Sequence, residues 1–257
     1  MAGKGARGAG EPDWARWVAR WEAQQAAGVA RREERFGVMI DLVRVMAGEA
    51  PVVLDLGSGP GSLAVRVCDR LPQARVVAVD GDPLLLEMGR RGHGDRGGRI
   101  TWVEADLRQP GWEAGLGLVG GVDAALSTTA LHWLAPEEAV RLCGTLAGLL
   151  RPGAVFVNGD HMTFDAGEGA LAAAAAALRA EPAPAGAETW PQWWEAVESE
   201  PGLAALAAVR RERWGGHPDH HSRGEPAFWR AALIRAGFSE AGFAWQWLED
   251  RILVGVR

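Results

Sequence analysis

Lysine is nearly missing from this chain: Lys4 is the only one in 257 residues, so arginine carries almost all of the positive charge. Tyrosine is absent altogether, which removes a phenol from the possible catalytic bases. No run of 18 apolar residues occurs, so no membrane helix and no membrane partner is expected. The formal charge of -6 lacks the basic excess that a nucleic-acid phosphate backbone selects for, so nucleic acid is not an expected partner. Only two cysteines occur, Cys68 and Cys143, both in apolar helical patterns. They read as buried thiols rather than a disulfide, which points to a cytoplasmic location. The opening MAGKGARGAGEP has no apolar stretch of signal-peptide type and reads as a loose tail. Against these shortages stand 48% hydrophobic residues and 13 tryptophans, the composition of a globular domain with material for a large core.

Trp14, Trp17, Val18 and Trp21 recur at helical spacing and predict an amphipathic helix over 13–25. A second helix is expected over 31–46, with Phe36, Met39, Ile40, Val43 and Met46 on its apolar face. Strand and helix then alternate. Strands are expected at 51–56, 75–80, 100–104, 122–127 and 154–159, with helices at 62–71, 83–91 and 136–150 between them. Strands that are apolar throughout, with helices between them, imply an α/β fold whose parallel sheet is covered on both faces. The layout is doubly wound and Rossmann-like, with ligands at the carboxyl ends of the strands. Residues 161–226 break the rhythm with an alanine-rich helix (170–180), a tryptophan-rich segment and the polar loop HPDHHSRGEP. A helix at 226–236 restores it, and AGFAWQWL and DRILVGVR close the chain as an antiparallel hairpin, making seven strands. The chain thus reads as one domain, with helical elements at 13–47 and 161–226 outside the alternation.

The chemistry begins at LDLGSGPGS. Gly57, Gly59 and Gly61 follow the first strand in a G-x-G-x-G spacing, and Ser62 stands where the dinucleotide fingerprint has its last glycine. Asp55 precedes the first glycine. Asp80 ends the second strand, where a carboxylate can accept both ribose hydroxyls of an adenosine. Asp106 follows the third strand, placed to accept from an adenine amino group while Leu107 donates its backbone N–H. Asp82-Pro83 suits either a shared ribose contact or a helix N-cap followed by Pro.

In order and spacing, VVLDLGSGPGSLAVRV, VVAVDGDPLLLEM, VEADL, DAALSTTALHWL and LRPGAVFVNGD resemble the successive motifs of class I S-adenosylmethionine-dependent methyltransferases. The closing RAGFSEAGFAWQWLEDRILVGVR is similar to that family's last helix and hairpin. The resemblance implies S-adenosyl-L-methionine as cofactor. It implies Gly57, Gly59 and Gly61 against the methionine part, Asp55 on its amino group, and Asp80 on the ribose. Asp106 with Leu107 would take the adenine, and Ser127 would lie beside the methionine and face the acceptor. Arg31, Arg32 or Arg35 is a weaker candidate for the cofactor carboxylate, since a charge run is usually a solvated face.

Methyl transfer from a sulfonium asks mainly for alignment, with a base where the acceptor is a hydroxyl or an ammonium. His161 is the preferred base, at a strand's carboxyl end, whereas His132 and Trp133 read as packing beside the cofactor. His217, Asp219, His220 and His221 offer nitrogen and carboxylate ligands, but they read as a polar loop and no metal is expected. No Asn/Asp-Pro-Pro-aromatic motif follows strand four, so exocyclic amines of bases are not expected acceptors. The resemblance implies that 13–47 and 161–226 form a helical lid over the acceptor, and their tryptophans point to a small apolar or aromatic metabolite, such as one of secondary metabolism. Other readings are a module that binds the cofactor without methyl transfer, or catalyses a rearrangement on it, and a nicotinamide oxidoreductase. Monomer and homodimer both fit the composition.

Overall fold

The computed structural model describes residues 11–118, 120–165, 167–179, 186–215 and 224–257. Seven strands form one sheet in the order β3-β2-β1-β4-β5-β7-β6. They are β1 (Val52–Leu56), β2 (Arg75–Asp80), β3 (Ile100–Glu104), β4 (Val122–Thr128), β5 (Leu150–His161), β6 (Glu240–Trp247) and β7 (Asp250–Val256). β1 to β5 run parallel, and β7 pairs antiparallel with both β5 and β6. The chain therefore reverses sheet direction after β1, sending β2 and β3 one way and β4 and β5 the other. Such a switch opens a crevice at the carboxyl ends of β1 and β4.

β5 is longer than expected. Leu150 already pairs with Val122, and the register shifts before Ala124 meets Val155. Pro152-Gly153, which falls between the expected helix and strand, is absorbed into β5 as an irregularity, with Gly153 at φ +81° and its N–H bonded to the Arg257 carbonyl. β5 also runs on to His161, so that residue ends the strand rather than following it.

Helices cover both faces. On one, α5 (Pro136–Leu149) and α9 (Pro226–Ala236) bury Leu142, Leu146, Trp229 and Leu233 against Phe156 and Leu253. On the other, α2 (Arg32–Ala47) and α3 (Ser62–Arg70) bury Phe36, Met39, Ile40 and Leu63 against Val53, Leu126 and Val157. Cys68 and Cys143 are buried free thiols, one in each layer. A third core lies outside the sheet. There α1 (Trp14–Gly28), α4 (Pro83–His93), α7 (Trp190–Ser199) and α8 (Ala204–Trp214) enclose Trp17, Trp21, Leu84, Leu85, Met88, Trp193 and Trp194. The remaining helix, α6 (Gly169–Arg179), carries the alanine run. No helix among the described residues is long and apolar enough to cross a membrane.

Local signals explain the ends that matter. Asp82 caps α4 by accepting from the N–H groups of Leu84 and Leu85, with Pro83 in the first turn, so the capping reading of Asp82-Pro83 holds. Thr189 and Gln192 form a reciprocal capping box at the start of α7. Gly237, at φ +99°, stops α9.

Candidate functional site

The turn after β1 is held by backbone and by two carboxylates. Gly57 has φ +64°, and a Cβ there would collide with that of Ala130. A Cβ on Gly61 (φ +84°) would run into the Trp102 indole. Gly61 therefore serves packing against β3, whereas Gly59 looks toward more open space, bounded by Trp21 at 3.6 Å. Asp55 is buried. Its Oδ2 accepts from the Ala64 N–H (3.1 Å), but its Oδ1 has no hydrogen-bond partner among the described residues. Burial pushes its carboxyl up to about 7. Asp80 accepts from the N–H groups of Gly59 (2.7 Å) and Asp82 (2.8 Å). It too is pushed up to about 7, by burial and by the charge on Asp82.

Asp106 sits across the notch from Gly81. Arg108 grips it, donating from Nε and Nη2 at 2.8–3.1 Å. Burial acts upward on this carboxyl, but the bonds from Arg108 hold it below its usual value. Leu107 packs half-buried on the sheet's first core. Ser127 is fully buried, and its hydroxyl donates to the Leu56 carbonyl (2.8 Å), turned toward β1 rather than toward an acceptor. None of Arg31, Arg32 and Arg35, at the start of α2, is idle. Arg31 pairs with Glu34, and Arg32 with Glu22. Glu22 also binds Arg66 and accepts from the Ser62 hydroxyl at the first turn of α3, and it is held at about 2 by these bonds against the upward push of burial.

Arg35 leads to the other half of the site. It is wholly buried, donates from Nη2 to Thr128 Oγ1 (2.9 Å), and lies 3.5 Å from Asp250. Asp250, at the start of β7, also meets His161 Nδ1 (2.6 Å) and Arg179 (2.8 Å). Asp160, the next-to-last residue of β5, meets His132 Nδ1 (2.7 Å) and accepts from the backbone N–H of both His132 and His161. Burial drives both carboxyls upward, but the histidines and Arg35 outweigh it and hold them below the usual range. Two Asp–His pairs thus stand side by side, with ring centroids 6.5 Å apart. With each aspartate ionised, Nδ1 carries the proton and Nε2 is the accepting nitrogen. Trp133, substantially exposed, lies 5.3 Å from the His132 ring. Next to them opens a cleft of about 400 Å³ lined by Thr163, Phe164, Asp165, Glu168, Ala172 and Glu249.

The structure thus brings Asp55, Gly57, Gly59 and Asp80 together with Asp106 across one crevice, and seats His161 beyond it at the end of β5. Sequence reasoning missed Asp160, Asp250 and the pairing of His132. Asp160 had a visible signal, being adjacent to His161. Asp250 had none, since 89 residues separate the partners. The tryptophans of the two lid regions lie mostly in the third core, with Trp193 fully buried beside Trp17 and Trp21. The HPDHH residues fall outside the described residues.

Residues 53–153 match the family described as methyltransferase domain. A trans-aconitate 2-methyltransferase of Azoarcus sp. (strain BH72) is 34% identical over 146 residues, which are 56% of this chain and 52% of that protein. A second trans-aconitate 2-methyltransferase, from Streptomyces coelicolor, is 32% identical over 34% of this chain and 30% of its own length. The matched stretch thus spans about half or less of these curated relatives. Among solved structures, an O-methyltransferase family protein from Burkholderia thailandensis superposes with a TM-score of 0.58 at 21% identity, covering 94% of this chain and 61% of that one. Family match, motif order and strand order agree on a class I S-adenosylmethionine-dependent methyltransferase domain over residues 53–153. The residues present fit that family's cofactor, S-adenosylmethionine: Asp55 Oδ1 is a buried carboxylate oxygen lacking a donor among the described residues, beside a turn in which Gly57, Gly59 and Gly61 carry no side chain.

Proposed function

We propose that the protein transfers a methyl group from S-adenosylmethionine to a hydroxyl of a small, largely apolar or aromatic metabolite. The paired histidines carry this reading. A hydroxyl must lose its proton as it is methylated, and an imidazole whose Nδ1–H is anchored on a buried carboxylate presents Nε2 to accept it. The cofactor supplies an electrophilic methyl. The rest falls to the chain: Asp55 holds the cofactor's amino group, Asp80 the ribose hydroxyls, and Asp106 with Leu107 the adenine edge. Ser127 contributes through its main chain, beside Gly57. His161 is the catalytic base, and Asp250 fixes its tautomer and ring plane. His132, set the same way by Asp160, addresses the acceptor from the other side, with the exposed face of Trp133 beside it for an aromatic ring. The helices of 13–47 and 161–226 form the cap, and the cleft between β5 and α6 admits the acceptor.

A panel of phenols, aliphatic alcohols and polycarboxylates, incubated with radiolabelled S-adenosylmethionine, tests this. The named activity of the relatives makes trans-aconitate the control acceptor, because a carboxylate is already ionised and needs no base. Methyl ethers that vanish with His161→Ala support the reading. Methyl esters alone, unaffected by that change, overturn it.

A further inference from the structure

Helix α8 belongs to the insertion, yet one face of it lies on the cofactor crevice. Arg210, Arg213 and Trp214 are spaced three and four apart, so they share a stripe. Leu203, just before α8, and Ala207 continue that stripe into the third core. Arg210 donates to Asp82 (2.8 Å), the cap of α4, and stacks 3.5 Å over Trp194. Arg213 donates to the Gly81 carbonyl (3.2 Å) and pairs with Glu104 at the end of β3 (2.6 Å). These bonds pin the last turn of α8 between the loops after β2 and β3. Trp214 is thereby placed over Gly81, where an added Cβ would lie 3.0 Å from the indole and 3.4 Å from the Asp106 Cα. Gly81 has no side chain to wall this notch, and the insertion supplies an aromatic one.

Arg108 shows what the wall accepts. Its guanidinium carbon lies over the Trp214 ring, 3.9 Å from the centroid, while its N–H groups point into the Asp106 carboxylate. A planar, delocalised group stacked on an indole and donating in its own plane to Asp106 has the geometry that an adenine with its amino group would need. We propose that Trp214 is the stacking platform for the cofactor's adenine, and that Arg108 is an internal stand-in which the adenine displaces from both Trp214 and Asp106. The inference rests on the cofactor reading above and assigns the insertion a share of cofactor binding.

Calorimetric titration of the intact protein with S-adenosylhomocysteine and with 5′-methylthioadenosine tests it. Losing an aromatic partner for a base weakens binding by about fivefold to a hundredfold. Trp214→Ala should therefore weaken both ligands at least about fivefold, whereas Trp214→Phe stays within about threefold of wild type. Arg108→Ala removes the competitor and should tighten both about two- to fivefold, the worth of a partly exposed ion pair. Melting temperatures of the variants separate loss of the platform from loss of the fold, and the Arg108 arm stands even where Trp214→Ala does not fold. Wild-type protein that binds neither ligand sinks the cofactor reading itself. Wild type that binds, with Trp214→Ala equal or tighter, or with Arg108→Ala weaker, overturns only the platform.

Discussion

Two pairs of aspartates stand at the same rim of the sheet and titrate in opposite directions. Asp55 and Asp80, around the glycine turn, are pushed up to about 7. Asp160 and Asp250, at the ends of β5 and β7, are held below the usual carboxylate range despite their burial. The difference lies in the partners. The first pair is met by backbone N–H groups and by further carboxylates, Asp80 for Asp55 and Asp82 for Asp80, so desolvation goes uncompensated. The second pair faces His132, His161 and Arg35, which offset it. One half of the crevice is a set of acceptors short of a cation or donors, and the other is already closed by the protein's own side chains.

The largest effect expected from breaking this contrast is catalytic. His161→Ala should lower kcat by about 10²- to 10⁴-fold, the usual worth of a positioned base, with the affinity for S-adenosylhomocysteine unchanged. Loss of both together would show that the two halves are not separable. Next comes the third core, which joins α1, α7 and α8 to α4. Trp193→Ala should cost about 3–5 kcal/mol in denaturant unfolding, as expected when a fully buried indole leaves a cavity. Near-native stability with a raised acceptor KM would instead place Trp193 on the acceptor wall that its position in a lid suggests.

Smaller, and opposite in sign for the two halves, are the pH effects. Asp55 has a folded pKa above its unfolded one, so its ionisation costs stability that grows as pH rises from about 4 to 7. Asp55→Asn should then leave the melting temperature unchanged at pH 4 and raise it by a few degrees at pH 8, while weakening S-adenosylhomocysteine. Asp160 has a folded pKa below its unfolded one, so it contributes stability above the ordinary carboxylate range that is lost as pH falls through the folded value. Asp160→Asn should lower the melting temperature at neutral pH and lose that effect in acid. A common sign for both variants would remove the contrast. The smallest signal is protonic. A cationic cofactor arriving beside Asp55 should release part of a proton near pH 6–7, seen as a dependence of binding heat on buffer ionisation enthalpy and absent in Asp55→Asn.

The cofactor half was legible in the chain because its parts are local. Asp55 and three glycines fall within seven residues, and Asp80 and Asp106 each end or follow an apolar strand. The parallel order and the closing hairpin followed from the same alternation. Legibility stopped where side chains of distant segments meet. Asp160 lies next to His161 but orients His132, 28 residues away, and Asp250 reaches His161 from the far end of the chain. The tryptophans show the same limit: helical spacing announced an apolar stripe but not which helix would cover it.

The order of elements, the glycine turn and the acids that follow the strands were thus written in the sequence, because hydrophobic period and turn chemistry act over a few residues. Only the tertiary structure decided that β7 lies between β5 and β6, that Asp250 thereby serves His161, and that an insertion helix sets Trp214 over Gly81. Those are contacts between segments remote along the chain. What selects them is how the layers bury their apolar faces together, which no short stretch of the chain specifies alone.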